Sequence, residues 1–490
     1  MLKKIAILTA ALLTMLPVVA QENSAAPSLS LDDCRIRVGE GFPGIKARCG
    51  EFERSENPAD PDSPAILLHV AIVSALTLEP EPDAFVPIAG GPGQSTVEFY
   101  ASVPSAFEAV RQKRDIVLLD QRGTGKSAPL RCDVDEDIIE GRYTREQAIE
   151  ETRSCLESLP YDPRYFTTSV AVSDLEALRE ELGYSKFNLY GVSYGSRVAQ
   201  HFVRQHPEST RTIIIDGVVP PQKALGPAIA IESQNALNAV FARCVEDKAC
   251  NDRFPELSIR FNTLRATLGA EPATISMADP LTGKVEEVRF SDIEMSGALR
   301  LLLYHPSSIA LIPLLVNEAI KGNLQPLAAQ FRMVAATMSD AINIGMHNAV
   351  LCTEDAPWFD EENITQEQLD STYIGPTQLD VLDAMCSVWP AGIIDDRHRD
   401  PLSTNIPVLL LSGEDDPITP PAYADLAAVE LENALHLTGP RQGHGLAPRG
   451  CMPGIIGDFV DSASVANLDT TCIDRLHAMP FFLDFSGPSP

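Results

Sequence analysis

Positive charge is scarce in this sequence. Lysine and arginine number 38 against 68 aspartates and glutamates, a formal net charge of −30 with pI ≈ 4.6. So acidic a surface repels polyanions, which excludes nucleic acid and anionic membrane surfaces as partners. Long apolar runs are missing as well. Beyond residue 20 none approaches the ~20 residues needed to cross a bilayer, so no stable membrane anchor is expected. Cys-x-x-Cys and His-x-x-x-His spacings, which would hold structural zinc, do not occur. No metal and no cofactor are therefore expected. Gly125-Lys126-Ser127 ends like a phosphate-binding loop, but Asp120 stands where that motif requires glycine. Internal repeats are absent too.

What is present is an ordinary globular composition, 44% hydrophobic and 22% charged over 490 residues. The first 20 residues read as a secretory signal: Lys3 and Lys4, an apolar stretch over 5–16, then small residues Val18 and Ala20 at a cleavage point. Cleavage near Ala20 would deliver the protein to the periplasm or the medium. The ten cysteines fit export. They fall into neighbouring pairs along the chain, and nearest-neighbour disulfides are expected.

Short apolar runs at 66–72, 84–88, 116–119, 187–190, 212–215, 408–411 and 434–437 read as strands, with 45–52 as an edge strand. Between them lie helical stretches. Ser173 and Glu176 suggest a capping box, with Gly183 ending that helix. Strand alternating with helix predicts a mostly parallel sheet covered on both faces. From 222 to 400 the pattern becomes mainly helical, with caps at Ser291 and Glu294 and one hairpin over 273–290. The expected plan is a core over 21–221 and 401–490, with a helical cap over 222–400 inserted.

One heptapeptide carries the chemistry. Leu189-Tyr190-Gly191-Val192-Ser193-Tyr194-Gly195 runs from strand through a sharp turn into a helix carrying Val198, Ala199, Phe202 and Val203. Gly-x-Ser-x-Gly in that setting is the nucleophile elbow of the α/β-hydrolase fold. A serine hydroxyl needs a histidine to take its proton and a carboxylate to orient that histidine. His444, between Gly443 and Gly445, is the expected base, with His436 the rival. Asp416 is the favoured acid, ahead of Asp216 and the adjacent Asp415. Backbone N–H groups of Gly91 and Tyr194 are the expected oxyanion donors.

Together these pieces resemble the prolyl and tripeptidyl aminopeptidase family of α/β-hydrolase serine peptidases. The matching residues are Gly90-Gly91-Pro92-Gly93, Asp120-Gln121-Arg122-Gly123-Thr124-Gly125-Lys126-Ser127, the elbow, Asp416-Pro417-Ile418-Thr419-Pro420 and Gly443-His444-Gly445. The exported, cysteine-rich layout looks like the tripeptidyl branch. The resemblance implies a serine exopeptidase whose partners are peptides with a free N-terminus. It departs from the family at Ala89, where histidine is frequent. Recognition of the α-amine would need cap carboxylates; Glu354 and Asp355 are the candidates, with Trp358 as an apolar wall. The alternative on the same triad is a carboxylesterase or lactonase.

Overall fold

The computed structural model describes residues 29–39, 43–60, 62–132 and 144–488. The expected signal over 1–20 lies outside them. Nine strands form one sheet: β1 (Asp32–Ile36), β2 (Ile45–Ser55), β3 (Ala65–Val73), β4 (Ala84–Ile88), β5 (Ile116–Leu119), β6 (Phe187–Val192), β7 (Thr210–Asp216), β10 (Val408–Gly413) and β11 (Ala434–Gly439). The cap hairpin supplies β8 (Ala273–Ala278) and β9 (Val285–Phe290). In space the order is β1-β2-β3-β5-β4-β6-β7-β10-β11. The run from β5 to β11 is parallel, and β1 to β3 are antiparallel. β2 is not the edge strand its sequence suggested, because β1 pairs along it.

The parallel strands are apolar throughout because both sides are covered. Side chains alternate faces along a strand. Val408 and Leu410 enter one core with Phe187, Leu189, Val198 and Phe202. Leu409 and Leu411 enter the opposite core with Tyr190, Ile214, Ile456 and Phe459. The chain leaves β4 towards β5 but leaves β6 towards β7, on the other side. Loops diverging there open a crevice at the carboxyl ends of β4 and β6.

Local expectations differ from the structure in two further places. The helix Thr168–Leu182 begins at an N-cap Thr167, earlier than a Ser173 cap would allow. Ser173 instead donates to the Val170 carbonyl within the helix. The helical region expected as cap over 222–400 also divides. Helices Ile229–Glu246, Leu257–Ala270, Asp292–Leu302 and Gln325–Ala341 share a separate core that includes Leu237, Phe241, Phe261, Leu299 and Phe331. The helix Ile344–Glu354 contributes Met346, Ala349 and Val350 to the sheet's core instead. All ten cysteines are bridged between neighbours: 34–49, 132–155, 244–250, 352–386 and 451–472.

Arg122 fastens the front of the sheet to the helix Thr168–Leu182. It is fully buried and grips Asp174 with two nitrogens, at 2.7 and 2.9 Å. Its remaining donors reach the carbonyls of Glu56, Tyr165 and Ser55. A buried charge held this way cannot lose its partner cheaply. Arg122→Ala should cost about 3–5 kcal/mol, read as a lowered urea midpoint; an unchanged midpoint would contradict this account.

Candidate active site

Ser193 sits at the carboxyl end of β6 with φ 55° and ψ −127°, a backbone conformation that side chains rarely accept. The turn persists because its surroundings allow nothing looser. Its N–H donates to the Asp216 carbonyl at 2.8 Å, and its carbonyl accepts from the Ser196 hydroxyl at 2.6 Å. A Cβ on Gly191 would lie 2.1 Å from the Gly195 carbonyl oxygen, and one on Gly195 would lie 2.3 Å from that of Ile88. Both glycines are therefore required by contact. The helix Tyr194–Gln205 starts directly after the serine, so the Tyr194 N–H belongs to its unpaired first turn.

The loop after β4 closes over the serine. A Cβ on Gly90 would come within 2.9 Å of Ser193 Cβ. Gly91 has φ +107° and Gly93 φ +104°, both in the region that favours glycine. Asp120 holds this loop: one carboxylate oxygen accepts from the Ser95 hydroxyl at 2.7 Å and the Val97 N–H at 3.1 Å. Gln121 donates to the Tyr194 hydroxyl at 3.1 Å. Asn343 clamps the loop from the opposite side, donating to the Gly93 carbonyl through its backbone at 3.0 Å and its side chain at 3.1 Å.

His444 Nδ1 lies 2.8 Å from Asp416 Oδ2. The other oxygen of Asp416 accepts from the N–H groups of Ile418 and Thr419, each at 2.9 Å. The Thr419 hydroxyl donates to Oδ2 at 2.8 Å. With its acceptors filled this way, the carboxylate is fixed in one orientation. Burial pulls the His444 pKa down, but the charge and hydrogen bond of Asp416, helped by Asp216, raise it above 6.5. The ring packs against Gly217, where a Cβ would sit 2.8 Å from its Cε1. Gly217 follows the same Asp216 whose carbonyl holds the Ser193 N–H. The side-chain bonds of His444 run to Asp416 and Thr419 and none reaches the Ser193 hydroxyl among the described residues. Such bonds commonly tighten only when substrate binds.

The rival acids are occupied elsewhere. Asp216 accepts from the N–H groups of Leu446 and Ala447 and from the Tyr190 hydroxyl, all at 2.8–2.9 Å. It braces the histidine loop from behind. Asp415 faces Arg243 and Arg441. His436 lies on β11 between Asp425 and Ser412.

A family model described as alpha/beta hydrolase fold matches residues 83–303, the segment holding Ser193. A second, described as TAP-like protein, matches residues 371–472, the segment holding Asp416 and His444. This chain has the α/β-hydrolase fold. The hydrolase is 24% identical over 394 residues to Serine protease Hip1 of Mycobacterium tuberculosis, covering 71% of each chain. It is 24% identical over 442 residues to Tripeptidyl aminopeptidase of Streptomyces coelicolor, covering 82% of this chain and 77% of that one. Proline iminopeptidase of Aeromonas sobria is 26% identical over 221 residues, 44% of this chain and 45% of that one.

The carboxylates expected to meet a substrate amine need correction. Asp355 is fully buried against Arg197 at 2.8 Å and also accepts from the Leu225 N–H. Glu354 is 1% exposed and accepts from the Thr168 N–H and hydroxyl, at 2.8 and 2.7 Å. Neither faces open space, because the helix that carries them packs into the hydrolase core. Trp358 lies under the Arg399 guanidinium, 4.8 Å from its ring centre. Glu354 is instead one end of a chain that passes through Thr168, 2.7 Å from the Tyr194 hydroxyl, to the residue after the serine.

Three neighbours of the site had no signal in the sequence. His347 Nδ1 is 3.2 Å from the Pro92 carbonyl and must carry the proton there. Burial holds its pKa down to about 4, so it stays neutral while it supports the loop. Tyr304 meets the His444 ring edge-on, with centres 5.2 Å apart, and its carbonyl accepts the His444 N–H at 2.9 Å. Arg300, in the last turn of the helix Asp292–Leu302 that leads into Tyr304, is the third. Each comes from a segment after β7 that no local pattern ties to the elbow.

The acidic limb of kcat/KM should lie above pH 6.5, because the base must be neutral. In Asp416→Asn the raising charge is gone and burial remains, so the limb should move to lower pH while kcat falls about 10⁴-fold. An unmoved limb would separate the two residues. Burial pushes the Glu354 pKa up to about 7, against the Thr168 hydrogen bonds and the Arg197 charge. A carboxyl raised in the folded state stabilises fully below its ordinary 4.5 and loses that contribution as pH rises through about 7. The Tm of Glu354→Gln relative to the unsubstituted hydrolase should therefore rise between pH 5 and pH 8; a constant difference would contradict it.

Proposed function

We propose that this hydrolase is an exported serine peptidase that cleaves near the free N-terminus of peptides, of the prolyl or tripeptidyl kind. Ser193 attacks the substrate carbonyl as His444 Nε2 takes the hydroxyl proton. Asp416 holds the imidazole through Nδ1 and stabilises the cation that forms. The N–H groups of Gly91 and Tyr194 receive the developing negative charge. His444 then protonates the leaving amine, and water hydrolyses the acyl-enzyme by the reverse proton path.

The observation that carries this reading is the 2.8 Å His444–Asp416 bond lying within the TAP-like segment. The peptidase names of the relatives support peptides over simple esters. Five disulfides support an oxidising compartment. Among the described residues no helix is long and apolar enough to cross a membrane.

Amino-acyl and tripeptidyl coumarin amides, each with a free or an acetylated N-terminus, test the proposal. Free amides should be cleaved and acetylated ones spared. Turnover of p-nitrophenyl acetate with every peptide untouched would replace the peptidase by an esterase. Ser193→Ala should keep its thermal midpoint or raise it, since the strained side chain shrinks. Its kcat should fall about 10⁶-fold; a near-normal rate would place the nucleophile elsewhere.

A further inference from the structure

Arg300 lies in the last turn of the helix Asp292–Leu302, on the cap side of the cleft. Among the described residues it makes no ion pair and no hydrogen bond, and its Nε is buried without an acceptor. Four other arginines, at positions 197, 243, 399 and 449, also have one unmatched nitrogen. Each of those is anchored through another nitrogen: Arg197 to Asp355, Arg243 to Asp415, Arg399 to the Gln222 carbonyl and Arg449 to His305. Arg300 has no such anchor, although acids outnumber bases 68 to 38 in this chain. A helix-end arginine can simply offset the helix dipole, but that role is filled by contact with terminal carbonyls or by exposure to water. Among the described residues Arg300 donates to no carbonyl, and it is half-buried.

Its neighbours locate it. Burial raises the pKa of Tyr304, and the charge of Arg300 is the largest influence opposing that rise. The same charge reaches His347 and Tyr373, secondary in both to burial. Tyr304 touches the base His444, and His347 touches the oxyanion loop at Pro92. Arg300 also lies only four residues before Tyr304, at the end of the helix that leads into it, which brings its charge to the wall that holds His444. A guanidinium presents a planar set of donors that matches a carboxylate with two parallel bonds.

We propose that Arg300 is a subsite for a carboxylate of the substrate, either the free C-terminus of a short peptide or an acidic side chain. The proposal rests on the peptidase reading above. It makes the hydrolase selective for short or acidic peptides and explains an unpaired cation in so acidic a protein.

The test uses matched substrate pairs with the full-length protein. One pair is a tripeptide as free acid and as C-terminal amide. Another carries Glu or Gln at one internal position. A third is the p-nitrophenyl ester of glutaric acid and of its monoamide. Charged hydrogen bonds of this kind should favour the carboxylate member by about 10–100-fold in kcat/KM. Which peptide pair shows the bias identifies the carboxylate that is read. Arg300→Gln should bring the ratio close to one, and Arg300→Lys should retain part of it. Fluorophosphonate labelling of Ser193 in each variant checks that the site is assembled. Ratios near one in the unsubstituted protein, or a bias that survives Arg300→Gln, would overturn the proposal. Failure of every peptide, with the ester pair still biased, would sink the peptidase reading and leave the carboxylate subsite standing.

Discussion

The backbone of Ser193 is held where serine does not rest by itself, at φ 55°. Such a conformation costs on the order of 1–3 kcal/mol and persists only where its surroundings over-determine it. Here one strand end holds the serine N–H, the next helix holds its carbonyl, and three glycines let neighbouring backbones come within contact. The parallel sheet and the helices on its faces provide the rigid frame for this turn. What the strain provides is position: the serine is held at the carboxyl end of β6, beside the loop after β4.

Buried carboxylates do most of the remaining positioning, and their partners decide their parts. Asp120 gathers the Ser95 hydroxyl and the N–H groups of Val97 and Lys126. Asp174 receives Arg122 and Arg54. Asp216 collects two N–H groups behind the histidine loop. Asp416 has three local donors and the imidazole. These side chains are chemically alike, and the one beside the base is distinguished only by what surrounds it. The large excess of acids therefore says little about any single acid.

Segments inserted between β7 and β10 reach the site from two directions. Tyr304 meets His444 through ring and carbonyl, and Leu303 beside it belongs to the separate helical core. Asn343 and His347 hold the loop after β4 from the start of the helix that packs into the sheet's core. The two sides of the site are thus braced by different cores.

Periodicity along the chain determined the strands, because both faces of a parallel sheet are buried and the resulting apolar runs are local. The elbow was legible for a similar reason: its glycines answer to contacts within five residues and to one neighbouring loop. Nearest-neighbour pairing of the cysteines, which spacing alone does not dictate, matches all five bridges. Tertiary structure alone decided the rest. It buried Glu354 and Asp355, which looked like free acids, by packing their helix into the sheet's core. It set β1 outside β2 and drew helix Ile344–Glu354 away from the cap. It also brought Tyr304 to His444 and His347 to Pro92, pairs more than 100 positions apart along the chain. The environment of a side chain is made by residues distant in sequence, and no local pattern records them.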